Sequence, residues 1–132
     1  MTPTQRTLKY LRDEGWEPDI VERSLPGKTF RIRRDYFNCI DIIAVRHGET
    51  IGVQSCGQAF AAHDRKILAE PKALLWLCGN NRLMLIGWRK LKAKRGGKLK
   101  LWKPRIKEYT KQDFNVATVE KPSIGIVCRE TE

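Results

Sequence analysis

The stretch from Cys39 to Cys56 constrains the fold more than any other part of the chain. Two arms rich in β-branched residues flank Arg46-His47-Gly48-Glu49, a pattern that predicts a β-hairpin with its loop over Arg46 to Glu49. Val45 then faces Thr50, and counting back along the ladder sets Asp41 opposite Gln54 and Cys39 opposite Cys56. Directly opposed side chains lie about 4.5–5.5 Å apart at Cβ. An acid and an amide would therefore project side by side from the middle of an apolar sheet. A carboxylate buried there without a partner is costly, and a divalent cation is one partner that offsets the cost.

Asp41, followed thirteen positions later by Gln54-Ser55-Cys56 on the next strand, resembles the core of the restriction-endonuclease-like (PD-(D/E)XK) nucleases. That family places an Asp near the end of one strand and Glu-X-Lys on the next, and together they hold magnesium and a water nucleophile against a phosphodiester. The chain's size, leading helix and basic second half narrow the likeness to archaeal-type Holliday junction resolvases and their phage-encoded relatives. It covers roughly residues 3–90, with Gln54 standing where the family has Glu and Cys56 where it has Lys. The resemblance implies an α/β, restriction-endonuclease-like fold: a central mixed β-sheet flanked by helices. It also implies magnesium (manganese as substitute), paired cleavage of four-way DNA junctions, a homodimer and a cytoplasmic location, the host's if the chain is phage-encoded. The loss of Glu-X-Lys leaves a second reading open, a non-catalytic, structure-selective DNA-binding protein on a degenerate nuclease fold.

At 132 residues the expectation is one domain, with a core over about residues 3–90, a basic arm over 88–111 and a C-terminal segment over 112–132. No apolar run reaches the roughly 18 residues of a membrane span, and no signal-peptide core opens the chain. A soluble intracellular protein is expected, with no membrane partner. Four cysteines without metal-ligand spacing then read as buried free thiols, although the hairpin register would allow a Cys39–Cys56 bridge.

The net charge of +11 is concentrated. Between Trp88 and Lys111 there are eleven basic residues and one acid, Glu108. Strands over Lys90–Lys94 and Lys98–Lys103, joined by Arg95-Gly96-Gly97, would form a basic β-hairpin arm. Such a stripe suits a nucleic acid, a solvated face being the alternative. Arg89, Lys90, Lys94, Arg95 and Lys98, with Arg33, Arg34 and Arg65 from the first half, are the expected DNA contacts. Trp88 and Trp102 read as hydrophobic anchors rather than base-stacking rings.

Thr2-Pro3 opens a first helix that Gly15 ends, and residues 16–25 and 29–34 read as strands. A helix over 58–70, a second over 73–78 and a buried strand over 83–86 follow the hairpin. Magnesium prefers oxygen ligands and keeps several waters, so few carboxylates suffice. Asp41 supplies one, Gln54 a neutral carbonyl and Ser55 its backbone carbonyl; these also form the catalytic set, together with Lys66. Glu22 is either a third acid or an exposed strand carboxylate. Asp35 is either a metal-side group or a turn-former bonding its own backbone. Relatives of this fold sometimes move the strand Lys to the following helix, and Lys66 fits that pattern; a surface lysine near DNA phosphate is the alternative. His63 reads as packing or DNA contact. Ser123 to Cys128 and the Trp76–Cys78 face are the candidate dimer surfaces.

Overall fold

The computed structural model describes residues 1–25 and 32–114, with side chains left aside at 23–25 and 32–34. It is α/β: three helices and a five-stranded mixed sheet, with a separate two-stranded ribbon. Helix α1, Pro3–Asp13, starts in a capping box in which Thr2 and Gln5 satisfy each other's backbone N–H groups. Its chain then enters β1 (Glu17–Ile20), β2 (Arg23–Leu25) and β3 (Ile32–Arg34). The hairpin is β4 (Ile42–Arg46) and β5 (Glu49–Cys56), followed by α2 (Phe60–Leu68) and α3 (Pro71–Cys78). Strands β6 (Arg82–Lys92) and β7 (Lys100–Tyr109) and a 3₁₀ turn at Lys111–Phe114 complete the described chain.

The sheet order is β1-β4-β5-β6-β7, antiparallel throughout except for the parallel β5–β6 pair. That parallel pair needs a crossover, which α2 and α3 provide. Side chains alternate across the sheet. Ile42, Ala44, Ile51, Val53, Ile86 and Trp88 pack with Leu11 and Trp16 on the α1 side. Leu83, Leu85 and Cys56 pack with Phe60, Ile67, Trp76 and Leu77 on the α2–α3 side. Both faces are covered, which explains why β5 is apolar along most of its length.

The expected hairpin register holds at Val45↔Thr50, but the loop is shorter. Arg46 pairs with Glu49, leaving His47-Gly48 as the turn, with Gly48 at φ +79°. The first arm is also shorter than expected. Its ladder begins at Ile42, because Phe37 and Asn38 take positive φ and fold residues 36–40 into a turn closed by a Tyr36–Ile40 bridge. Cys39 lies in that turn rather than opposite Cys56, and both are buried free thiols. Cys78 departs from the expectation, being disulfide-bonded.

Three further differences have local causes. The expected strand over 16–25 is two, interrupted at Val21 and Glu22, where Val21 N–H bonds the Asp41 carbonyl at 3.0 Å. The expected basic hairpin is present, but its strands are longer and start deeper in the sheet: it is the far end of β6 and β7, paired from Leu83↔Tyr109 out to Lys92↔Lys100. Trp76 and Leu77 are only 8% and 6% exposed in the core, so that face is not a free dimer surface. The Ser123–Cys128 segment lies outside the described residues. Among the described residues, no helix is long and apolar enough to cross a membrane.

Candidate metal centre and basic arm

Asp41 lies where β4 begins, on the α2–α3 side, and is 4% exposed. The Ser55 backbone N–H donates to both of its oxygens, at 3.2 and 3.3 Å, and Gln54 Nε2 donates to Oδ2 at 3.0 Å. The predicted juxtaposition of Asp41 and Gln54 is therefore present. Burial pushes the Asp41 carboxyl up to about 7, against the pull of the Ser55 bond, and the nearby Asp35 and Glu22 carboxylates push the same way.

Those two acids reach Asp41 by separate routes. The Val21 bond to the Asp41 carbonyl sets Glu22 beside it, and Asp35 precedes the Tyr36–Ile40 turn. Glu22, Asp35 and Asp41 each offer an oxygen within 4.8 Å of the other two. Around an octahedral magnesium trans oxygens lie about 4.2 Å apart and cis oxygens about 3 Å. At most one pair among three ligands can be trans, so at least two of the three separations would have to come to about 3 Å for the cluster to close on a cation. Among the described residues, Gln54 Oε1 is the one buried side-chain polar atom without a hydrogen-bond partner. Three carboxylates, with the unpartnered carbonyl oxygen of the residue that bonds Asp41, are hard oxygen donors of the kind that suits magnesium or manganese.

Lys66, one turn along α2 from His63, extends its ammonium to 3.7 Å from Asp35 Oδ2 while staying half exposed. A helix-borne cation thus stands beside one of the three acids. Asp35 carries this ion pair and lies within the acid cluster. The Ser55 side chain stays out of the cluster. Its hydroxyl faces α1 and shares a 2.8 Å hydrogen bond with Thr7 Oγ1, which also accepts from Trp88 Nε1 at 2.9 Å. The contribution of Ser55 to Asp41 is its backbone N–H. Cys56 cannot act as the family's lysine does: it is 5% exposed, and burial raises its thiol so that it stays neutral. The His63 ring is engaged with the Ala59 carbonyl at 2.9 Å.

The arm leaves from the same end of the sheet. Gln54 and Cys56 of β5 pair in parallel with Leu85 and Gly87 of β6, and beyond Gly87 that strand runs on as Arg89, Lys90 and Lys92. Arg89, Lys90, Lys94, Arg95 and Lys98 are exposed, as is Arg65 on α2. None of these six forms an ion pair with another described residue. The backbone of Arg33 and Arg34 lies in β3, and their side chains fall outside the described residues.

Two interactions that the sequence did not suggest fix the root of the arm. Asp64 on α2 accepts from Tyr109 Oη at 2.7 Å and Lys107 Nζ at 2.9 Å. Burial works against the Asp64 carboxylate, but these two donors hold its carboxyl below the ordinary range. Arg105 also lies 4.2 Å over the Phe60 ring. Pairs this distant in sequence leave no local signal. Trp88 is a buried anchor as expected, whereas Trp102 is 45% exposed, with Arg6 stacked 3.9 Å from its ring centre. No protein-family model, curated protein or solved structure matches the chain.

Proposed function

We propose that this protein is a divalent-metal-dependent endonuclease, built on a restriction-endonuclease-like fold. Its particular role is the resolution of branched DNA, four-way junctions above all, by a homodimer. The observation that carries this reading is the convergence of Glu22, Asp35 and Asp41 at the end of the sheet from which the basic arm projects. Acids hold a cation and the arm draws in a polyanion, and a phosphodiester is the group that needs both.

Glu22, Asp35, Asp41 and Gln54 Oε1 would hold magnesium, or manganese in its place. A cation held there lowers the pKa of a bound water and neutralises charge developing on the phosphate oxygens. The chain's own groups do the remaining work. Ser55 N–H and Gln54 Nε2 orient the Asp41 carboxylate from two sides. The Lys66 ammonium, beside Asp35, can orient the attacking water or donate to a phosphate oxygen as charge builds. The cations of β6 and β7 grip the backbone on either side. Two copies related by two-fold symmetry would supply the paired cuts that junction resolution needs.

One observation favours the second reading, a structure-selective DNA-binding protein without catalysis. Gln54 already satisfies Asp41 as a hydrogen-bond donor, so the acid is accommodated without a cation. The discriminating experiment compares a four-way junction with a linear duplex of the same sequence, in magnesium and in manganese, while mass is measured in solution. A dimer that cuts the junction symmetrically and spares the duplex is the expected result. Tight junction binding without cleavage in either metal would move the assignment to the second reading, and a monomer that nicks both substrates alike would remove the resolvase role.

A further inference from the structure

The turn that follows Asp35 presents an aromatic surface that the metal chemistry does not use. Tyr36 is stacked on Phe37, with ring centres 4.5 Å apart and planes 23° from parallel. Both rings stand edge-on to Trp76, which is 8% exposed. One face of Tyr36 is thus covered and its edge is braced, yet the residue remains 43% exposed. The exposure belongs to its outer face.

The backbone beneath it is strained and held. Phe37 has φ 53° and Asn38 φ 60°, a region that a bulky aromatic residue rarely enters. Backbone bonds in both directions between Tyr36 and Ile40, at 2.7 and 2.9 Å, lock the turn. Asn38 Nδ2 adds a bond to Glu70 Oε1 at 3.1 Å, tying it to the start of α3. Strain of this kind persists where the surroundings over-determine it, and it clusters at working sites. Here it fixes an aromatic shelf one residue from a member of the acid cluster. Cations flank the shelf: Lys66 beside Asp35, and Lys72 with its ammonium 5.7 Å from the Phe37 ring centre.

We propose that Tyr36, backed by Phe37, is a stacking platform for an unpaired nucleobase adjoining the phosphate held at the Glu22–Asp35–Asp41 cluster. The proposal rests on the endonuclease reading and deepens it by naming the substrate feature the site selects. A flat π face accepts any base, whereas a base in an intact duplex has both faces covered by its neighbours. Tyr36 therefore engages DNA only where the stack is interrupted, as at a branch point or in a single strand. Selectivity for branched DNA then resides partly beside the metal cluster, while the arm contributes affinity without regard to structure.

The probe is a four-way junction carrying 2-aminopurine at its branch-point nucleotides, with a matching linear duplex, bound in calcium in place of magnesium. Wild type and Tyr36→Phe should quench the branch-point fluorescence. Tyr36→Leu, which keeps apolar bulk without a π face, and Tyr36→Ala should lose the quench and bind the junction about tenfold or more weakly. Duplex affinity and melting temperature should stay at wild-type values in all three variants. Quenching and junction affinity unchanged in Tyr36→Leu and Tyr36→Ala would overturn the platform while leaving the endonuclease reading intact. A shift in solution mass with unchanged DNA affinity would overturn it as well, assigning the ring to a protein interface. Failure of the wild type to bind either DNA would bring down the endonuclease reading, and the platform with it.

Discussion

The acid cluster and the basic arm solve opposite electrostatic problems at the same end of one sheet. Asp41 is 4% exposed, gathers two further acids within 4.8 Å and keeps its proton to about pH 7. From Arg89 to Lys100 the arm spreads cations over the exposed far ends of two paired strands, where water screens them from one another. Buried like charges are held together only by a fold that is stable for other reasons, and a cation relieves them. Exposed like charges cost little and need no precise positions. Changes in the cluster should therefore act steeply and on chemistry, and changes in the arm gradually and on affinity.

Substitution at Asp41 should break this contrast most clearly. Asp41→Asn keeps the size and much of the hydrogen bonding of the side chain, and should reduce junction cleavage by more than about 100-fold, since removing even a group that only supports a metal ligand costs about 10–100-fold. Junction affinity should stay near wild type, and retained cleavage in a folded variant would remove Asp41 from the site. Lys66→Met comes next. It should lower the cleavage rate by about 100-fold, the range for losing one transition-state donor, and leave manganese affinity unchanged or slightly tighter because Asp35 loses its ion pair. Cleavage at the wild-type rate would return Lys66 to the role of a surface lysine.

The arm is tested by neutralising Lys94, Arg95 and Lys98 together. The salt dependence of DNA affinity should flatten by about 0.9 log units of slope for each phosphate that is no longer neutralised, with no change in metal binding. An unchanged slope would make the stripe a solvated face. Gln54→Glu alters the cluster in the opposite sense, by adding charge. It replaces a donor to Asp41 with a fourth carboxylate, so magnesium should bind several-fold more tightly while the metal-free fold weakens. Unchanged magnesium affinity by calorimetry would mean that position 54 does not face the cation.

Legibility in the sequence follows the same division. The arm is plain in composition, because a run of cations states its own charge, although its strands are extensions of β6 and β7. The hairpin register is readable from alternation about Val45 and Thr50, and with it the meeting of Asp41 and Gln54. Glu22 and Asp35 can be nominated from sequence but not assembled. Their approach to Asp41 depends on the Val21–Asp41 bond and on a turn of positive φ at Phe37 and Asn38, where no glycine announces it. The clasp of Asp64 on Lys107 and Tyr109 joins residues more than forty positions apart. The Ser55–Thr7–Trp88 chain of bonds is likewise distant, and it turns the Ser55 hydroxyl away from the cluster.

The raised Asp41 carboxyl also fixes how stability responds to pH. Its folded form keeps the proton to about pH 7, whereas the unfolded form loses it near pH 4, so its stabilising contribution is complete below about pH 4 and is lost as pH rises through about 7. Metal-free protein should accordingly melt at lower temperature at pH 8 than at pH 6. The step should vanish in Asp41→Asn, and melting curves of the two proteins across that range would check it.

Whether Glu22, Asp35 and Asp41 form one cation site is decided by titrating manganese into the metal-free protein at pH 8 and following the paramagnetic signal of the free ion. Wild type should bind one ion per chain saturably, with binding lost in Asp41→Asn and competed by magnesium. Absence of saturable binding in the wild type, or equal binding in the variant, would contradict it.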